Sequence, residues 1–196
     1  MCCLPKCSKT RKILKLLILF VKKDDEADNH IFVDRAYITT AAKMNACAEL
    51  ARKEPGHLFI CWFADTAVKF KEFFRQQGLD ENLVTETHHL HGSKLRNRTP
   101  VFVEHYPLHT KETELIKNWD ANKIIVFSAM DEPLFKHFGS EKLIPLMKMM
   151  GMKENEVIEH NMVSKSILKG QEKIAEQVSL EQTAGSQAAW MEKNLK

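Results

Sequence analysis

Three histidines crowd the stretch "HHLHG", at His88, His89 and His91, and imidazole is the side chain best suited to hold zinc or to move a proton near neutral pH. On an extended strand His89 and His91 would point to the same face, and with His105 or His109 they would supply the nitrogen ligands of a metal-dependent hydrolase. The neighbouring sequence shows no cysteine or carboxylate at matching spacing. The plainer reading is a polar loop, and no metal ligands are assigned. Cys61, with His57 four residues before it, has the residue types of a thiol nucleophile and its base. It lies inside the apolar run "HLFICWF", however, where a cysteine is ordinarily a core residue. Cys2, Cys3 and Cys7 could bind metal or carry lipid, but no fourth ligand accompanies them. Glu104 and His105 end the run "VFVEHY", and the carboxyl ends of strands are where open α/β sheets hold ligands.

Phosphate handling is the other chemistry to weigh. A P-loop needs G-x-x-x-x-G-K-[ST], because glycines let backbone amides close on the phosphates and the lysine meets their charge. None of the seven glycines stands in that setting. No catalytic or cofactor-binding residue is assigned, and no cofactor is expected.

The elements that must position these side chains are legible from periodicity. "HIFVDRAYITT" alternates like a strand, and Thr39 and Thr40 can cap the helix "AAKMNACAELARK", which Glu54, Pro55 and Gly56 stop. "HLFICWF" is a β-branched and aromatic strand, and Asp65 opens the helix "TAVKFKEFFRQQG", where Val68, Phe70, Phe73 and Phe74 share a face and Gly78 caps the end. Residues 79–99 read as a polar loop. "PVFVEHY" is the next strand, Thr110 caps "KETELIKNW" with Glu112 and Glu114 in its favourable first turn, and "KIIVFSAM" is a further strand. This alternation predicts an α/β fold: a small parallel sheet with flanking helices, half of a RecA-like motor domain in size, followed by a helical C-terminal tail. In the tail, Ser140 begins a helix that Gly151 ends, with Pro145 near its first turn. Asn161 caps a second helix carrying Val163, Ile167, Ile174 and Val178 on one stripe, and a short third begins at Ser186.

At 196 residues the chain is long enough for one domain with an appendage. A net charge of +3, from 29 basic and 26 acidic residues that are interspersed, argues against nucleic acid as a partner. The five cysteines form no disulfide framework, which fits a reducing compartment. The apolar run at 13–21 is about half the roughly 20 residues a spanning helix needs. It predicts a buried element or a peripheral membrane contact, and no transmembrane helix.

One stretch carries an identity. "FSAMDEPLFKHFGSEKLIPLMKMMGMKENEVIEHNMVSKSILKGQEKI" packs four methionines into six positions and then turns abruptly polar. It resembles the segment of the SecA preprotein-translocase ATPases that leaves the second RecA-like motor domain and enters the helical scaffold. That family's pattern runs approximately S-M-E-D-x-L-x-x-x-F-G, then L-M-x-x-M-G-M/L-x-E-x-E-x-I-x-H-x-M-V-S-K-S-I-x-x-A-Q-x-K. Met130, Asp131, Glu132 and Leu134 follow its acidic start, and Phe138, Gly139, Ser140 and Glu141 its F-G turn. Leu146, Met147, Met150, Gly151 and Met152 follow the methionine helix, and Glu154, Glu156, Ile158 and His160 the acidic break. Met162, Val163, Ser164, Lys165, Ser166 and Ile167, with Gln171 and Lys173, follow the second helix.

The resemblance implies a protein-translocation role on a two-lobed motor scaffold. A motor of that kind needs arginines just before the acidic start, to stabilise charge on the transferring phosphoryl group. This chain has "TELIKNWDANKIIVFSAM" there, and its last arginine is Arg98. Lys117 and Lys123 cannot reproduce a guanidinium fork. The expectation is therefore a partial, non-catalytic piece in three parts: a basic and apolar segment with linker (1–29), a partial RecA-like α/β unit (30–137) and a scaffold-like helical tail (138–196). It would act in the cytoplasm or at the inner face of the membrane, with translocase components or a P-loop-containing chain as protein partner. The alternatives are a stand-alone protein-interaction module on the same scaffold and the histidine-based hydrolase.

Overall fold

The computed structural model describes residues 31–117, 119 and 123–195. The segment with Cys2, Cys3, Cys7 and the apolar run lies outside the described residues. Among the described residues five strands form one sheet: β1 (Phe32–Tyr37), β2 (His57–Cys61), β3 (Val84–Glu86), β4 (Thr99–Phe102) and β5 (Ile124–Ala129). Their order is β1-β5-β4-β2-β3 and every pairing is parallel, as the alternation of strands and helices requires. All five side chains of β2 are buried, the condition of a parallel strand covered on both faces.

The chain steps outward from β1 to β2 to β3 and then back through β4 to β5. Right-handed crossovers therefore deliver helices to opposite faces. On one face α1 (Thr40–Lys53) and α2 (Ala64–Gln76) pack Ala42, Cys47, Phe70 and Phe74 against Phe59, Cys61, Val101 and Phe127. On the other, Ile116 of α3 (His109–Ile116) meets Leu58, Ile60, Phe102 and Val126. Thr39 caps α1 by accepting the Ala42 amide at 3.2 Å. Gly78 ends α2 in the left-handed region at φ +69°.

The tail contributes α4 (Pro133–His137), α5 (Ser140–Met149), α6 (Asn161–Ala175) and α7 (Gln187–Asn194). It shares a core with the sheet, in which Ala36, Ile38 and Phe63 pack with Met147, Met152, Ile158, Val163, Ile167, Ile174 and Trp190. Ile158 also makes an antiparallel bridge to Ala36, exchanging amide–carbonyl bonds of 3.1 and 2.8 Å along the outer edge of β1. The methionines divide by position: Met147 and Met152 fill the sheet contact while Met149 is 81% exposed.

Several expectations are corrected. Val68 is 65% exposed, and the buried face of α2 is Ala67, Phe70 and Phe74. Helix α3 begins at His109, with buried Leu108 at its cap position, so Thr110 lies inside it. Pro145 is in the interior of α5, because the left-handed Gly139 starts that helix at Ser140 and leaves the proline in the second turn. Asn161 is the first residue of α6, and the preceding His160 is the cap, its ring nitrogen accepting the Met162 amide at 3.1 Å. Residues 84–86, read as loop, form the edge strand β3, too short for alternation to show.

Two glycines are set by geometry. Gly139 has φ +82°, and a Cβ there would meet nothing within 4 Å, so replacing it costs backbone strain alone. Gly139→Val should lower stability by about 1–3 kcal/mol in urea or thermal unfolding. Gly170 is different, since a Cβ would fall 2.2 Å from Cζ of Phe138, whose ring fills the notch this glycine leaves in α6. The family pattern carries alanine at this position. Gly170→Ala should destabilise the protein despite the roughly 1 kcal/mol that alanine gains in a helix. The same change on a Phe138→Ala background should stabilise, and a double-mutant cycle on urea midpoints checks it.

Candidate functional site

In an open parallel sheet, ligands bind outside the carboxyl ends of the strands, where the chain's direction across the sheet reverses. Here that point lies between β2, which feeds α2 on one face, and β4, which feeds α3 on the other. Glu104, two residues past the end of β4, occupies it. Its Oε1 accepts the backbone amides of Trp62 and Phe63 at 3.0 and 3.2 Å, and its Oε2 accepts the Thr66 hydroxyl at 2.8 Å. These donors stand at the entrance to α2, where free amides and the helix dipole would favour an anion. Two residues after Phe63, the Asp65 amide donates to the Gly185 carbonyl at 3.0 Å. The anion position is thus filled by the chain's own carboxylate and closed by the loop before α7.

Lys43 lies beneath, buried on the sheet-facing side of α1 one turn before Cys47. Its ammonium donates to the Val103 carbonyl at 2.5 Å and to Glu132, and the other oxygen of Glu132 accepts the Ala129 amide at 3.1 Å. Burial disfavours the ammonium, but the Glu132 and Glu104 carboxylates outweigh it and hold the lysine charged. Burial pushes the Glu104 carboxyl up to about 7, against the opposing pull of Lys43.

His105 forms a second buried cluster with Asp34 and Glu112. Its Nε2 is 2.7 Å from Asp34 and its Nδ1 is 2.9 Å from Glu112. Burial pulls the imidazole down, yet Glu112 and Asp34 more than compensate and lift it to about 10. Glu112 responds in the opposite sense, since His105 overcomes the upward push of burial and brings it to about 2. An imidazolium with both protons committed is a brace and cannot serve as a base at neutral pH. Glu112 also accepts the Tyr106 amide at 2.7 Å and the Gln171 amide at 3.0 Å. Gln171 of α6 donates to the Tyr106 carbonyl at 2.7 Å, and Gln187 of α7 donates to the His105 carbonyl at 2.9 Å while accepting the Leu134 amide. Two tail glutamines therefore lock the carboxyl edge.

The histidines do not gather as a hydrolase centre would require. His105 belongs to the buried brace and His109 lies 3.5 Å from Glu112, so neither joins His88 and His89. Those two instead approach Glu86, a carboxylate the sequence reading overlooked. Cys61 is fully buried, and burial holds its thiol protonated well above the usual range. His57 faces the Glu54 carbonyl at 2.8 Å, which removes the proposed thiol–imidazole pair.

The residues of the resemblance have structural positions. Asp131 accepts the Thr40 amide and hydroxyl at 2.8 and 2.7 Å, Glu132 holds Lys43, and buried Met130 has its carbonyl bonded by the Ser140 hydroxyl. Gly151 turns the chain at φ +84°. Glu156 accepts the Lys153 amide at 3.3 Å, Ser166 donates to the Met162 carbonyl at 2.8 Å, Val163 is buried, and Ser164 and Lys165 are half-buried on α6. Gln171 was marked only by its place in the resemblance, and Asp34, Lys43 and Gln187 were not singled out by sequence reasoning at all. Of these only Lys43 left a signal, since it shares the buried stripe of α1 with Cys47 at a spacing of one turn.

No family model matches the chain. It is 42% identical over 57 residues to the protein translocase subunit SecA of Parabacteroides distasonis, a match covering 29% of this chain and 5% of that protein. It is 40% identical over 58 residues to the subunit of the same name in Chlorobium phaeobacteroides and 38% identical over 58 residues to that of Chlorobaculum tepidum. Each of these matches covers 30% of this chain and 6% of the relative. The chain thus contains a SecA-related segment, and it spans only about a twentieth of the relatives it matches.

The buried charges fix a pH profile. His105 is raised from its ordinary 6.5, so its contribution to stability is full below about 6.5 and is lost as pH rises toward 10. Glu104 acts in the same direction between 4.5 and about 7. Glu112 is lowered, so its contribution is lost as pH falls from 4.5 toward 2. The melting temperature should peak in mildly acidic buffer, near pH 5, and decline steadily to pH 10. His105→Gln strands two buried carboxylates and should cost about 3–5 kcal/mol at pH 6. It should also flatten the limb between pH 7 and 10, as urea unfolding across pH will show.

Proposed function

We propose that this chain is a SecA-related piece that serves protein translocation by contact with another polypeptide and does not hydrolyse nucleotide itself. The observation that carries the proposal is the filled switch point. Glu104 takes the Trp62 and Phe63 amides and the Gly185 carbonyl takes that of Asp65, so a phosphate would have to displace a buried carboxylate and the loop over it. The missing P-loop and the absence of any arginine after Arg98 point the same way. The SecA-related segment supports the link to translocation. Under this reading Met130, Asp131, Glu132, Gly139, Ser140 and Ile158 maintain the scaffold and do no chemistry.

The partner would be a translocase component or a chain that supplies the P-loop half, met in the cytoplasm or at the membrane's inner face. Among the described residues no helix is long and apolar enough to cross a membrane. A stand-alone interaction module on the same scaffold is separated from this reading by the choice of partner. Co-sedimentation with purified SecA supports the translocation role, and a stable complex only with proteins outside the translocase supports the other.

Turnover of ATP with magnesium by the purified chain should equal a protein-free blank, and a fluorescent ADP analogue should show no saturable binding. Hydrolysis abolished by replacing Lys117 or Lys123, or nucleotide carried through purification, would overturn the proposal.

A further inference from the structure

Glu86 is the last residue of the edge strand β3, and the 3₁₀ turn Thr87–His89 folds the chain back immediately after it. The turn returns both imidazoles to the carboxylate. His88 Nε2 lies 3.0 Å from Glu86 Oε2, and His89 Nδ1 lies 3.8 Å from Glu86 Oε1. One ligand atom from each of the three residues falls within 4.8 Å of the other two, and the two rings are 5.0 Å apart, tilted at 54°. A tetrahedral zinc with bonds near 2.0–2.1 Å needs its ligands about 3.4 Å from one another, so closure asks for movements on the order of 1 Å. The side chains that must move are the free ones, for His88 and His89 are 65% and 62% exposed, while Glu86 at 13% is held by the strand.

We propose that Glu86, His88 and His89 form a surface site for a zinc-class divalent cation. Two imidazole nitrogens and one carboxylate oxygen make a borderline donor set that favours zinc over magnesium or calcium. Three protein ligands leave the fourth position of a tetrahedral zinc open to water or to a side chain of another protein. The site lies at the carboxyl end of β3, one strand over from the Glu104 crevice since Glu86 pairs with Cys61, but it shares no residue with that crevice or with the His105 brace, so it stands or falls apart from the proposed function. Protons compete with metal for the imidazoles, and occupancy declines on acidification.

The test uses the full chain stripped with chelator, its accessible thiols alkylated so that cysteine cannot report, and zinc chloride as the probe in calorimetric titration. The untreated sequence is compared with Glu86→Gln and with the His88→Ala/His89→Ala double variant. Metal-free melting temperatures of all three should agree, because the two imidazoles are exposed and Glu86→Gln keeps the shape of the one partly buried side chain. The original chain should bind one zinc equivalent that the double variant lacks, Glu86→Gln should bind it about tenfold or more weakly, and zinc should raise the melting temperature of the original chain only. Equal stoichiometry and affinity in all three, or no saturable binding by the original chain, overturns the site.

Discussion

The imidazolium of His105, held between Asp34 on β1 and Glu112 on α3, is the interaction on which the rest of the structure depends. It joins an outer strand to the helix that follows β4. Because all three groups are buried, no member can be removed without leaving charge in a poorly polarisable interior. Glu112 then organises a second tier, the Tyr106 amide and Gln171, through which α6 is bound to the same point. A charged triad thus serves here as a joint between sheet and tail.

The Glu104 group extends that logic to the place where related architectures handle phosphate. A carboxyl group occupies the mouth of α2, but it is covalently part of the chain, and Lys43 supplies the nearby positive charge from within. The scaffold keeps the electrostatics of an anion site and satisfies them internally.

Much of the fold was legible because it rests on periodicity. The runs at 57–61 and 124–129 are β-branched and aromatic, the helices carry recognisable caps at Thr39 and Ser186, and Gly78, Gly139 and Gly151 mark turns that do adopt positive φ. What escaped depends on neighbours distant in sequence. A lysine on a helix reads as solvated, and only the approach of Glu132 and the Val103 carbonyl makes Lys43 a core residue. Val68 belongs to the apolar set of α2 by type, but the helix rotates Ala67 inward in its place. Glu104 and His105 were marked by their place at a strand's carboxyl end, whereas their partners Asp34, Glu112 and Thr66 become visible only once the strands are ordered. Glu86 was overlooked as a histidine partner because the reversal at Thr87–His89 has no strong turn residue to announce it.

The contacts along the outer edge of β1 also carry a kinetic implication. Arg35 meets Glu159 across 124 residues of chain, beside the Ala36–Ile158 bridge, and contacts so distant in sequence form late because a long loop must close first. During synthesis the sheet and its first three helices emerge well before the segment that seals them. For that interval the nascent polypeptide shows a raw strand margin and an apolar cleft to whatever is nearby, which makes the moment of sealing the point at which this fold is most exposed to capture by a chaperone or by another chain.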